Sequence, residues 1–140
     1  MISKYKYTRD LDKNHFCYGL DRAKQQIRKA GFCCIVEGQI DTVTCHRFGL
    51  TNTVGIGGSQ LSQDQFRQIR MWTDRIVMLT DPDAAGVAGL KKTMQQFCED
   101  ADILHVNLPE GSDIDSILTD HSSRDEWLSI ILKMGRGNHL

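Results

Sequence analysis

Four short apolar runs, each followed by a stretch with helical spacing, constrain this chain more than any other feature. The runs are Phe32 to Val36, Thr51 to Ile56, Arg75 to Thr80 and Ile103 to Asn107. Between them lie Gln39 to Phe48, stopped by Gly49, and a segment opened by the capping pattern Ser62-x-x-Gln65, with Phe66, Ile69 and Trp72 at helical spacing. In a third such segment Val87, Leu90, Met94 and Phe97 share one face while Lys91, Lys92, Gln95 and Gln96 turn away. Gly19 to Ala30, stopped by Gly31, supplies a helix ahead of the first run. Two short helices close the chain, one over about Ile114 to Thr119 and one opened by Ser123-x-x-Glu126 that buries Trp127, Ile130, Ile131 and Met134. Strands this short alternating with helices require right-handed crossovers. The fold class is α/β and Rossmann-like, a central mostly parallel sheet of about four strands flanked by helices.

Composition narrows the function classes. No apolar run approaches the roughly 18 residues that span a bilayer, and the N-terminal MISKYKYTRD is polar and basic. No membrane partner is expected. The five cysteines are odd in number and lack a C-x-x-C pair, which predicts a reducing, cytoplasmic setting and no zinc site. The formal net charge of -1 conceals an asymmetry, since residues 1–30 carry eight basic and three acidic groups while residues 74–140 carry six basic and twelve acidic. A basic arm beside an acidic half suits a protein that holds polyanions in one place and divalent cations in another.

In an open parallel sheet ligands bind beyond the carboxyl ends of the strands. Acids follow two of the runs: Glu37 after the first, and Asp81 and Asp83 around Pro82 after the third. If those strands are neighbours, three carboxylates converge, which is the oxygen chemistry of a Mg2+ site. Asp83 reads equally as the N-cap of the next helix. Asp41, one helical turn beyond Glu37, reads as a second-rank ligand or as a solvated first-turn acid. Asp113 and Asp115 repeat the D-x-D spacing after the fourth run, where helix-terminus acids are also favoured. The glycines of Gly55-Ile56-Gly57-Gly58-Ser59 either let backbone N–H groups approach a phosphate or make a tight turn. His46 lacks partners at ligand spacing and reads as a helix-surface or core histidine.

These residues resemble the Toprim domain, and the resemblance covers most of the chain. It rests on Glu37 in IVEGQID and on the D-x-D of DPDAAG. The order of YGLDRAK, VEGQIDTVTCHRFGL, VGIGGSQLSQDQ and LPEGSDIDSIL is similar to the catalytic core of bacterial-type (DnaG-like) DNA primases. The resemblance implies that residues 1–30 are a basic arm and helix like the end of a primase polymerase region, with the Toprim domain over 31–140. It implies Glu37 as the catalytic acid/base or metal-organising carboxylate, Asp81 and Asp83 as metal ligands, and Asp41, Asp113 and Asp115 as supporting acids. Lys13 matches a basic position that contacts nucleic acid or nucleotide, and Arg22, Lys24, Gly57 and Gly58 are grouped with it. The implied activity is Mg2+-dependent nucleotidyl transfer in RNA primer synthesis, with Mn2+ able to substitute. Single-stranded DNA and NTPs are the implied substrates. A helicase or zinc-ribbon protein is an implied partner, because 140 residues leave no room for those parts of a full primase. Pro82 between the aspartates departs from the primase pattern and is shared with topoisomerase and nuclease branches. Two other functions therefore stand beside the first: a small Toprim nuclease cutting RNA or DNA, and a metal-dependent nucleic-acid-binding module without catalysis.

Overall fold

The computed structural model describes residues 16–137. Lys13 and the rest of the basic arm ahead of Phe16 lie outside them. The elements alternate as the apolar runs require: α1 (Leu20–Ala30), β1 (Cys33–Val36), α2 (Gln39–Arg47), β2 (Thr53–Gly55), α3 (Gln63–Arg70), β3 (Arg75–Met78), α4 (Ala84–Phe97), β4 (Asp102–His105), α5 (Ile114–Thr119) and α6 (Arg124–Arg136). The four strands form one sheet in the order β2-β1-β3-β4, parallel throughout. β1 therefore has β3 as a neighbour, with Ile35 opposite Met78.

Alternation along the strands divides the core into two layers. Cys33, Ile35, Ile76 and Met78 face one way, against Ile27 of α1, Phe66 and Ile69 of α3 and Phe97 of α4. Phe66 and Phe97 stack with ring centroids 4.1 Å apart, which adds about 0.5–1.5 kcal/mol to their burial. Cys34, Val36, Val77 and Leu79 face the other way, against Cys45 of α2, Ile114 and Leu118 of α5 and Ile131 of α6. The outer edge of β2 is covered by Tyr18, whose N–H donates to the Gly55 carbonyl at 2.7 Å and whose carbonyl accepts from the Gly55 N–H at 3.0 Å. Among the described residues no helix is long and apolar enough to cross a membrane.

Three helix expectations change. α4 buries Gly86, Gly89, Thr93 and Phe97 and leaves Val87 exposed. The cause is close approach: a Cβ at Gly89 would collide with Ser59, and Thr93 accepts from the Leu61 N–H at 3.1 Å. α4 thus sits tightly on the loop after β2, turned so that glycines face inward. The last helix is 13 residues long rather than short, and it buries Ile131 and Gly135 while Ile130 is exposed. Gly135 lies against the Phe32 ring, which fixes that rotation. Ser123 precedes α6 without capping it through its side chain. By contrast, Ser62 and Gln65 form the expected box, with the Gln65 N–H donating to Ser62 Oγ at 3.1 Å and the Ser62 N–H to Gln65 Oε1 at 3.0 Å.

Candidate metal and nucleotidyl-transfer site

The adjacency of β1 and β3 brings Glu37 and Asp81 together at the carboxyl ends of the strands. Leu79 N–H donates to Ile35 O at 2.8 Å, and the parallel ladder would next join Asp81 N–H to the Glu37 carbonyl. That carbonyl is instead taken by Gly57 N–H at 2.8 Å, and Asp81 N–H donates to the Glu37 carboxylate at 2.8 Å. Glu37 thereby closes the sheet with its side chain and fixes the backbone on which Asp81 stands.

Asp83 is the N-cap of α4, accepting from Gly86 N–H at 2.7 Å, so the capping role open in the sequence is realised. One carboxylate oxygen of Asp83 is used this way, which leaves the other for a ligand. Asp41 accepts from Gly38 N–H at 3.2 Å in the first turn of α2. Asp113 caps α5, accepting from Ser116 N–H at 2.8 Å, and Asp115 accepts from the Thr44 hydroxyl of α2 at 2.5 Å. α2 and α5 are thus joined by an acid beside Asp41.

The electrostatics show these acids acting on one another. Asp81 has its pKa pushed up from 3.8 to about 6, first by burial and then by the negative charges of Glu37, Asp41, Asp113 and Asp83. Glu37 is also raised, mainly by burial and further by Asp83 and Asp41, against the lowering effect of the Asp81 N–H. Asp41 is raised by burial and by Asp113 and Asp115, partly offset by its bond from Gly38. Carboxylates that repel one another at a partly buried edge favour a cation. Their all-oxygen chemistry suits a hard ion such as Mg2+ or Mn2+. Among the described residues no three carboxylate, imidazole or thiol groups close around one point. The acids therefore fit an ion that takes one or two protein oxygens and completes its shell from water and phosphate.

The remaining sequence-derived positions divide. Arg22 is exposed at the start of α1 and lines a cleft beside α2. Lys24 lies over the Trp72 ring, 5.7 Å from its centroid, beside Arg28 at 4.7 Å, so its charge is spent partly on packing. Gly57, at φ 77°, has given its N–H to Glu37, so the tight-turn reading holds there and that amide is not open to a phosphate. Gly58 faces open space. His46 bonds the Thr53 carbonyl through Nε2 at 2.9 Å, the structural role expected of it.

Two features were missed in the sequence. Gly86 must lack a Cβ because one would strike the Asp81 carbonyl, so DPDAAG is a backbone device as well as a carboxylate pair. The other is the cleft itself, where Phe16, Val43 and Arg47 stand; its signal was Ile40, Val43 and Arg47 recurring along one side of α2.

The Toprim-like family pattern matches residues 34–118, the stretch from β1 through α5. The chain belongs to the Toprim-like family. It is 29% identical over 139 residues to the DNA primase of Lactococcus lactis subsp. lactis (strain IL1403), covering 96% of this chain and 21% of that protein. It is 33% identical over 109 residues to the DNA primase of Staphylococcus aureus (strain COL), covering 77% of this chain and 18% of that protein. The chain spans about a fifth of the length of these relatives. The crystal structure of the zinc-binding and RNA polymerase domains of Aquifex aeolicus primase superposes with a TM-score of 0.76 at 28% identity, over 87% of this chain and 30% of that one. A DnaG primase catalytic domain bound to single-stranded DNA shares the fold, with a TM-score of 0.69 at 21% identity over 90% of this chain and 42% of that one. This is a primase-like Toprim fold with Glu37 and Asp81 at the carboxyl edge of its sheet.

Proposed function

We propose that this Toprim domain is the catalytic part of a primase-type nucleotidyltransferase that makes RNA primers on single-stranded DNA and works with further domains or partner proteins. The observation that carries the reading is the pairing of Glu37 with the Asp81 backbone inside a group of mutually repelling carboxylates. A divalent cation, Mg2+ or Mn2+, held by Asp81 and the free oxygen of Asp83 would supply charge neutralisation for the triphosphate during in-line displacement. Glu37 holds Asp81 in place and, with its raised proton affinity, is suited to accept the proton of the attacking 3'-hydroxyl. Asp41, Asp113 and Asp115 strengthen the negative field and have supporting roles. The five cysteines are all free thiols, which suits a reducing, cytoplasmic setting. A helicase or a zinc-ribbon protein is the kind of partner that this reading calls for.

The test is a product analysis. NTPs, single-stranded DNA and Mn2+ or Mg2+, with candidate partner proteins added, should give oligoribonucleotides, and Glu37→Gln should lower their yield by about 10²–10⁴-fold. Cleavage of labelled nucleic acid without synthesis would transfer the same acids to a nuclease. Near-parental turnover by Glu37→Gln would remove the enzymatic role of this edge.

A further inference from the structure

The peptide unit between Ile56 and Gly57 is clamped at both ends. Its N–H donates to the Glu37 carbonyl at 2.8 Å, and its carbonyl accepts from the side-chain Nε2 of Gln65, also at 2.8 Å. In a trans peptide these two groups point in opposite directions, so the two bonds together fix the plane of the unit. That plane is not the one an extended strand would give. Ile56 N–H already donates to Val36 O on β1 at 3.0 Å, and successive amides of a strand alternate in direction, so an extended Gly57 N–H would face away from β1. It turns back to the end of β1 because the chain bends there, with Gly57 at φ 77°. Glycine takes either sign of φ at little cost, so residue type alone leaves this unit free to flip.

Gln65 is placed to hold it. The residue is 1% exposed, in the first turn of α3. Its part in the helix cap uses the acceptor end, since Oε1 takes the Ser62 N–H at 3.0 Å. A glutamate would serve that box as well. Only an amide also offers donors, and Nε2 gives them to Ile56 O and Phe16 O, each at 2.8 Å. The donor end of Gln65 therefore joins two segments outside its own helix: the end of β2 and the chain ahead of α1.

We propose that Gln65 is a positioning residue for Glu37, holding the 56–57 peptide in the orientation that occupies the Glu37 carbonyl and so leaves the Glu37 carboxylate on the Asp81 N–H. The inference rests on the primase-type reading, in which Glu37 accepts the proton, and adds a residue that acts on that glutamate only through the backbone. The chain of contacts is continuous. It runs from Gln65 Nε2 to Ile56 O, from Gly57 N–H to Glu37 O, and from Asp81 N–H to the Glu37 carboxylate at 2.8 Å. When the peptide flips, Gly57 N–H leaves, and the Glu37 carbonyl is open to the ladder bond with Asp81 N–H that it now forgoes. The Glu37 carboxylate then loses its backbone donor and its fixed place beside Asp81. Because Nε2 also bonds Phe16 O, the segment that leads into α1 is tied to the same peptide.

The experiment follows amide resonances of the metal-free full chain by NMR in Gln65→Met, which keeps the length of the side chain and removes its donors. The Gly57 and Asp81 amide protons should move to higher field, as hydrogen bonds that lengthen require. Their exchange with solvent should quicken about 2- to 12-fold, the equilibrium factor of one net hydrogen bond. Leu79 N–H, bonded to Ile35 O two residues before Asp81, should keep its resonance. Ser62→Ala removes the hydroxyl of the capping box and should lower the melting temperature while leaving the Gly57 and Asp81 resonances in place. Where primers are made, Gln65→Met should lower kcat and leave the KM for NTP unchanged. Unmoved Gly57 and Asp81 resonances in folded Gln65→Met overturn the proposal. So does an equal displacement in Ser62→Ala, or parental kcat despite displaced amides. A parent chain that makes no primers counts against the primase-type reading alone, since the amide readouts do not depend on it. Should Gln65→Met not fold, exchange in the parent chain at rising denaturant decides. The Gln65 side-chain hydrogens and the Gly57 and Asp81 amides should lose protection together, before Leu79. An Asp81 amide still protected after the Gln65 hydrogens have exchanged overturns the proposal.

Discussion

The chain contains two D-x-D pairs, Asp81/Asp83 after β3 and Asp113/Asp115 at the start of α5, and the fold uses them differently. In each, one aspartate caps a helix: Asp83 binds Gly86 N–H and Asp113 binds Ser116 N–H. The partners differ. Asp115 takes a hydroxyl hydrogen bond from Thr44, whereas Asp81 stands at a strand end with its own N–H held by Glu37 and no proton donor on its carboxylate among the described residues. The same spacing therefore gives one pair that ties α5 to α2 and one pair whose strand-end member is held through its backbone by Glu37. What separates them is the strand next door, since of the two strands that lead into these pairs only β3 lies beside β1, which runs into Glu37.

The sharpest way to break the comparison is to neutralise each pair. Asp81→Asn with Asp83→Asn should abolish detectable Mn2+ binding and reduce any nucleotidyl-transfer activity by about 10²–10⁴-fold, the scale for losing a group that acts at the reacting atoms. Asp113→Asn with Asp115→Asn should cost no more than about 10–100-fold, the scale of groups that orient a metal's ligands. Calorimetric Mn2+ titration and turnover by both double variants check this. Equal losses would mean that the two pairs hold the cation jointly.

How much of this was legible in the sequence follows from what each signal encodes. Apolar runs marked all four strands, because a parallel strand covered on both faces is apolar at nearly every position. Glu37 and Asp81 were legible as residues at strand ends. Their partnership depended on β1 and β3 being neighbours, which spacing alone leaves open. Helix rotation was less legible. On α4, Val87 was read as buried because periodicity counts side chains, whereas the inner face is made by Gly86 and Gly89, which have none.

A second contrast concerns the two loops. Gly86→Ala drives a methyl into the Asp81 carbonyl, while Gly111, at φ 79° ahead of the other pair, has open space around it. Gly111→Ala should therefore cost only the left-handed backbone penalty, about 1 kcal/mol. Gly86→Ala should cost about 1–3 kcal/mol from overpacking and should also weaken Mn2+ binding by displacing Asp81. Thermal melts of the two variants, followed by metal titration at a temperature where both are folded, would show it. Intact metal affinity in a destabilised Gly86→Ala chain would separate the packing role of this glycine from its role in placing Asp81.

The smallest effect sharpens the comparison through pH. The Asp81 carboxyl, ordinarily at 3.8, is raised to about 6 in the folded chain, so between those values the native state holds a proton that the unfolded chain has released. Stability falls as pH rises wherever the native state binds more protons than the unfolded one. The metal-free protein should accordingly lose stability as pH climbs through this window, and the deficit should be complete above about 6, with Glu37 and Asp41 acting in the same direction. Asp81→Asn removes the titrating group and the charge that repels its neighbours, so its melting temperature should decline less over the same pH range. Mn2+ added above pH 6 should raise the melting temperature of the parent and leave that of Asp81→Asn nearly unchanged. A parent whose stability rises through the window, or a variant with the parental slope, would show that the repulsion at this edge is relieved by something other than a cation.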